Sequence, residues 1–339
     1  MNQTMVGLSL LFVAGVMNAS FTLPMKYTRR WAWENTWLVW TIFALWVLPP
    51  VVTFMTVPSL GSVYREAGLG LVLTVAVFGA GWGIAQVLFG LAVEAIGIAL
   101  AFSIILGISA AVGSLIPLFQ LHADRVLTTG GMGVIAGVAL VIIGVAVLAL
   151  AGRRREAEMG LAPEAGRTSF GRGLLFAIGS GLGAAFINFG LAFGAPLTDA
   201  AQRAGAHPLW ANNAVWLPVM FAGSIANLAY CVFLMRKNGT APRFRQSATA
   251  GHWALAAFMA FFWFASTLLY GVASGKLGAL GPVLGWPLFM SLIVITASVL
   301  GMATGEWKNA GRKPVNIMLC GVAVLVVAVF TLSAASRYL

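Results

Sequence analysis

Ten stretches of this chain contain no Asp, Glu, Lys or Arg: residues 1–25, 35–64, 67–93, 95–123, 126–152, 173–198, 204–235, 246–275, 277–305 and 314–336. Each is long enough to cross a hydrocarbon core of roughly 30 Å as a helix of about 20 residues. The runs are continuously apolar and lack the period-two alternation of a transmembrane β-barrel. The pattern predicts an all-α polytopic membrane protein with ten transmembrane helices.

The polar gaps between the runs are unequal. Fifteen of the twenty bases fall in odd-numbered gaps, among them Lys26, Arg29 and Arg30 in the first and Arg236, Lys237, Arg243 and Arg245 in the seventh. Even gaps and the C-terminal end share only Arg65, Arg125, Arg203, Lys276 and Arg337. The positive-inside rule then places the odd gaps in the cytoplasm and both termini outside. The first cation is Lys26, so the basic n-region of a cleaved leader is missing and the first segment reads as a retained helix. Within the first gap, KYTRRWAWENTW sets Trp31, Trp33 and Trp37 among cations, a composition expected at headgroup level.

An internal repeat runs through the pattern. WGIAQVLFGLAVEAIG from Trp82 and WFASTLLYGVASGKLG from Trp263 agree at five of sixteen positions, including Trp82/Trp263, Gly90/Gly271 and Gly97/Gly278. These windows lie in the third and eighth spans. GVAL from Gly137 and GVAV from Gly321 repeat the correspondence in the fifth and tenth. Because five is odd, two five-helix halves would cross in opposite senses. The expected organisation is therefore two inverted repeats, 1–152 and 173–339, joined by a cytoplasmic basic linker, 153–172. Inverted repeats are a transporter architecture, with the substrate near the midplane between them.

Polar groups at membrane depth supply the candidate site, because each is costly there. Asn18 and Asn188 fall in equivalent spans, and an amide offers two donors and an acceptor to a pair of sugar hydroxyls. Gln86 follows Trp82 by one helical turn, so an indole face and an amide share one side of the helix. Trp263, Tyr270 and Trp286 are the matching aromatic candidates in the second half. Asn213 and Asn227 belong to the seventh span, the first near its end and the second deep inside. Against these readings stand interhelical hydrogen bonding for the amides and lipid-facing or interfacial positions for the tryptophans.

Composition narrows the function classes. The chain is 60% hydrophobic and 9% charged, with a mean hydropathy of +0.94, whereas a soluble domain carries about 25% charged residues. The net charge of +11 rests on so few groups that loop asymmetry accounts for it, and nucleic acid is not an implied partner. Cys231 and Cys320, with His122, His207 and His252, form neither a disulfide framework nor a metal-ligand spacing, so no metal or cofactor is implied. A polytopic enzyme would need acids or histidines clustered at one interface, and the nine acids are scattered. An exporter or uncoupled facilitator remains an alternative within transport, because no acid occupies the centre of a span. Glu34, beside Trp33 and Trp37, is the proton-coupling candidate. The competing reading makes it a fixed anion, paired with Arg30 or Lys26, that holds the first loop.

Several of these residues carry a likeness. NASFTLPMKYTRRWAWENTW, FGAGWGI followed by FGL, and EWKNAGRKP at 306–314 resemble the L-rhamnose–proton symporter family of the drug/metabolite transporter superfamily. The likeness runs from the first span to the tenth. It implies a ten-helix secondary transporter of the bacterial inner membrane with periplasmic termini, monomeric or weakly dimeric. It also implies import of L-rhamnose or a similar 6-deoxyhexose, with a proton or possibly sodium as the coupled ion. The chain departs from the family pattern at Glu94, at Asn188 and across GALGPVLGWPLF, which leaves room for another sugar.

The charge bias generates a topological prediction. A reporter active only in the cytoplasm, fused after Leu339, should be silent, whereas strong activity would invert the whole orientation.

Overall fold

The computed structural model describes residues 3–160 and 170–338. Ten helical segments are long and apolar enough to cross a membrane, and no strand occurs among the described residues. We number them spans 1 to 10: Gln3–Tyr27, Trp33–Thr56, Leu69–Ile96, Leu100–Leu121, Thr129–Glu158, Phe170–Arg203, Asn213–Asn238, Ala250–Lys276, Gly281–Ala303 and Arg312–Ala335. Large apolar side chains such as Phe54, Val77, Phe261 and Phe330 stand more than half exposed around the outside. A surface of that kind is explained by lipid rather than water. The chain is a multi-pass membrane protein.

Both spans flanking the linker run past their charge-free stretches. Span 5 continues through Arg153, Arg154 and Arg155 to Glu158 and span 6 begins at Phe170, ahead of Arg172, so four bases assigned to the linker are helical. Linker residues 161–169, with Arg167, lie outside the described residues.

Side-chain size decides which helices meet. Span 3 lies against span 7 at Gly79 and Gly83, where an added Cβ would overlap the backbone of Val219 and Gly223. Spans 5 and 10 interlock through Gly137 under Leu332 and Gly144 under Leu325. Small residues are what let helix backbones approach in lipid, where no hydrophobic effect drives them together. Span 1 packs on spans 8 and 9, and span 6 on spans 3 and 4. Span 3 adjoins span 7, and span 8 adjoins span 2; spans 4 and 9 meet, as do 5 and 10. Gly97, which caps span 3, and Gly278, just past the end of span 8, both take positive φ values, 82° and 81°.

Several spans are irregular, and proline is the usual cause. A proline inside a helix lacks the N–H that would bond the carbonyl four residues earlier. In span 2 the pair Pro49–Pro50 follows a π-helical turn, Ile42–Val47, in which the Leu48 N–H reaches back to the Phe43 carbonyl. Pro117, Pro218 and Pro287 lie inside spans 4, 7 and 9. The carbonyls they orphan are those of Gly113, Ala214 and Val283. Each finds a donor from elsewhere in the protein. Asn188 Nδ2 donates to Gly113 at 2.8 Å, the Tyr64 hydroxyl to Ala214 at 3.0 Å, and Ser114 Oγ to Val283 at 2.5 Å. Tyr64 lies in the short helix Leu60–Ala67 between spans 2 and 3. Burial pushes its phenol pKa up, so the group remains a neutral donor. Span 6 is the most broken, with interruptions at Ala185 and Gly194.

This pairing predicts a compensating mutation. Ser114→Ala strands the Val283 carbonyl in a buried place and should cost about 1–3 kcal/mol. Pro287→Ala restores the missing N–H, so Ser114→Ala should be nearly neutral on that background. Thermal unfolding in detergent reads the cycle, and equal losses on both backgrounds would refute the pairing.

Candidate functional site

The midpoints of spans 3 and 8 carry the aromatic pair. Trp82 is residue 14 of the 28 in its helix, and Trp263 is residue 14 of 27. Their rings stack with centroids 5.6 Å apart and planes 20° apart. Trp40 of span 2 meets Trp263 edge-on at 5.2 Å, and Trp37 stacks on Trp40 at 4.4 Å. Trp33 continues the series by stacking on Trp37 at 5.2 Å. Indoles thus run from the base-rich end of span 2 to the membrane midplane. Sequence reasoning missed Trp40, which i, i+3 spacing from Trp37 places on the same helix face.

Around this pair the candidate amides are placed differently from one another. Asn18 donates to Ser266 Oγ at 2.9 Å, one turn along span 8 from Trp263. Gln86 is half-buried and makes no side-chain hydrogen bond among the described residues. Asn227 accepts from Trp37 Nε1 at 3.2 Å and donates to the Gly223 carbonyl. Thr267, the other polar neighbour of Trp263, spends its hydroxyl on the Trp263 carbonyl.

Asn188 sits towards the base-poor side and is fully buried. Both its amide hydrogens are engaged, with Gly113 and with the Pro282 carbonyl at 3.1 Å. Its Oδ1 accepts the hydroxyl of Tyr270. Tyr270 in turn packs face-on to Phe289 at 5.0 Å and edge-on to Trp286 at 5.6 Å. Trp286 Nε1 donates to the Ser109 carbonyl at 2.9 Å. One cluster therefore ties spans 4, 6, 8 and 9 together. Beyond it a cavity of about 530 Å³ lies among the base-poor ends of spans 4, 6, 7, 8 and 9. His122, Thr198, Asp199 and Asn212 line it with Pro282 and Val283. Asn213 lies at that same end, where it donates to Thr56 Oγ1 at 2.8 Å, and Asn212 donates to the Gly271 carbonyl at 2.8 Å. Neither side chain caps span 7; both bridge helices instead, because backbone and hydroxyl partners on neighbouring spans are within reach.

The first gap departs from expectation. Trp31 is buried under Phe244, His252 and Trp253 and Trp37 is half-buried in the aromatic series, so only Trp33 is broadly exposed. Glu34 is 4% exposed, yet neither Arg30 nor Lys26 pairs with it. Its Oε1 accepts from Thr240 Oγ1 at 2.7 Å and from Asn238 Nδ2 at 3.0 Å. Asn35, also buried, donates to the Thr240 carbonyl at 3.1 Å. Glu34 thus fastens the loop after span 7, not the first loop. Arg30 bonds the Ser247 carbonyl, and Lys26 pairs with Glu306 at 3.2 Å. Glu306 begins the EWKNAGRKP stretch, whose Trp307 lies under Arg155 and whose Gly311 N–H bonds Glu158. Among the described residues no three His, Cys, Asp or Glu gather as a metal would need.

A model of the family described as L-rhamnose-proton symport protein matches residues 1–336. The chain belongs to this family. Its similar relatives include the L-rhamnose-proton symporters of Mannheimia succiniciproducens, 29% identical over 331 residues, and of Citrobacter koseri, 27% over 334. The symporter of Salmonella paratyphi B is 28% identical over 334 residues, and in all three cases 96% of each chain is covered. The family is one of transporters rather than enzymes. Within it, two of the stretches that carried the likeness prove to be physical neighbours, Lys26 of the first gap against Glu306 of the ninth.

The Glu34 geometry gives a prediction about stability. Glu34→Gln keeps an oxygen that can accept from Thr240 and Asn238, so the protein should retain its melting temperature in detergent. Glu34→Ala leaves the buried Thr240 hydroxyl unpaired, while the exposed Asn238 can turn to water, and should cost about 1–3 kcal/mol.

Proposed function

We propose that this protein imports L-rhamnose or a closely similar 6-deoxyhexose together with a proton across the bacterial inner membrane. The observation that carries the reading is the Trp82–Trp263 stack at the helix midpoints, beside Gln86, an amide whose hydrogen bonds are unspent. An indole covers the apolar C–H face of a pyranose and its 6-methyl group, while an amide takes hydroxyls in pairs. Family membership supports the sugar and the coupled proton.

The two halves act as inverted repeats and alternate access around the pair. The neighbour pattern supports this, since exchanging each span n with n + 5 carries the principal contacts into one another. Gly97 and Gly278 support it further, as equivalent residues at the ends of spans 3 and 8 that both take a positive φ. The Asn188–Tyr270 cluster is the gate between the midplane and the cavity at the base-poor, periplasmic end. Asn188 therefore serves the gate first, because both its hydrogens are committed there. Two rings each in contact with an intervening sugar at roughly 3.5–4.0 Å would stand about 7–8 Å apart. The stack at 5.6 Å is closer than that, so the rings must part to admit the sugar. Glu34 is held in loop bonds, which argues for a fixed anion; its alternative is to exchange the coupled proton with the cytoplasm.

The test is uptake of labelled L-rhamnose into proteoliposomes with and without an imposed inward proton gradient. Gradient-driven accumulation is expected, and Gln86→Ala should raise the half-saturating sugar concentration by up to about tenfold. Equilibration without accumulation would instead identify a facilitator. Loss of accumulation but not of exchange in Glu34→Gln would move the coupling role to that residue.

A further inference from the structure

We propose that the groove between spans 4 and 5 binds an anionic phospholipid, with one acyl chain in the groove and the headgroup phosphate on Arg153. The groove holds about 560 Å³ and opens on the outer face of the helix bundle. It exists because small residues stand where the two helices would otherwise close. Gly107 and Ala111 on span 4 line it opposite Ala146 and Ala149 on span 5. A Cβ placed on Gly107 would meet nothing within 4 Å. Apart from Ser103, every lining residue below the mouth is apolar.

Length and charge identify the occupant. From Ile142 to Arg153 the groove follows eleven residues of helix, roughly 16 Å. That is about half of a 30 Å core, the depth of one leaflet. An extended protein segment would reach the midplane with unsatisfied backbone groups, whereas an acyl chain has none. Arg153 stands at the mouth on the base-rich side, exposed and without a partner among the described residues. Its neighbour Arg155 is already committed to the Glu306 carbonyl and the Trp307 ring. An uncommitted guanidinium at headgroup level above an apolar slot complements a phosphate attached to a hydrocarbon chain.

Native mass spectrometry of the detergent-solubilised protein, given equal phosphatidylglycerol and phosphatidylcholine, tests the proposal. The unaltered protein should retain phosphatidylglycerol preferentially, about fivefold or more, the weight of one cation at an anionic headgroup. Arg153→Gln should bring the ratio near unity. Gly107→Phe, which fills the slot, should lower retention of both lipids, while Ile143→Phe on the adjacent lipid-facing surface changes neither. Inorganic phosphate alone should leave the lipid bound. Equal retention of the two lipids by the unaltered protein overturns the proposal, as does indifference to both groove variants. Displacement by phosphate would reduce the site to a simple anion contact and equally overturn it.

Discussion

A carbonyl freed inside a membrane has no water to turn to, and that constraint organises this protein. Prolines at 117, 218 and 287 each free one carbonyl four residues upstream. Left alone, each would cost several kcal/mol in hydrocarbon. Asn188, Tyr64 and Ser114 answer them from other elements. The prolines and the interhelical bonds are therefore one feature. Each proline creates an acceptor that a neighbouring element must reach.

The same bonds separate two zones along the membrane normal. Towards the base-poor side, Asn188 joins spans 4, 6, 8 and 9 through saturated hydrogen bonds and the rings of Tyr270, Trp286 and Phe289. At the midplane the contacts change to ring stacking, and the nearby amide of Gln86 is uncommitted. Stacked rings exchange one apolar face for another at little cost, whereas a buried hydrogen-bond network resists partial opening. In the proposed transport cycle a sugar replaces a ring face at the first zone without stranding a polar group. Opening the second requires several bonds to break together, which suits a barrier.

The fold was legible because charge-free length is set by bilayer thickness and needs no tertiary information. Span 5 overran its run, since helix hydrogen bonding continues into the headgroup region through Arg153–Arg155. The site was legible in residue type more than in partnership. Trp82 and Trp263 were singled out by an internal match, and the structure stacks them. Asn188, Asn213 and Trp286 drew attention as polar or amphipathic groups in lipid, and the structure gives each a partner on another helix. Ser114 and Tyr64 were overlooked, although a signal existed. An intramembrane proline demands a donor, and counting those demands would have prompted the search. The competing reading of Glu34 paired it with Arg30 or Lys26 by sequence proximity, but Thr240 and Asn238 reach it from about two hundred residues away.

The residues that mark the family have a physical reading of their own. Lys26 with Glu306, Arg155 with Trp307, Glu158 with Gly311 and Glu34 with Thr240 all join loops at the base-rich ends of the spans. These ties lie away from the helix midpoints, where Trp82 of the other family stretch, FGAGWGI, stacks on Trp263. Such ties fix how the first, fifth, seventh and ninth gaps meet, so they constrain the scaffold whatever sugar the centre takes. Identity of about 27–29% to the relatives is ample to carry that scaffold. On the proposed function, the choice among 6-deoxyhexoses would rest with a handful of groups near the helix midpoints, where one hydroxyl more or less is felt as one hydrogen bond satisfied or stranded. In the proposed site, Gln86 and the two facing indoles are the residues placed to make that choice.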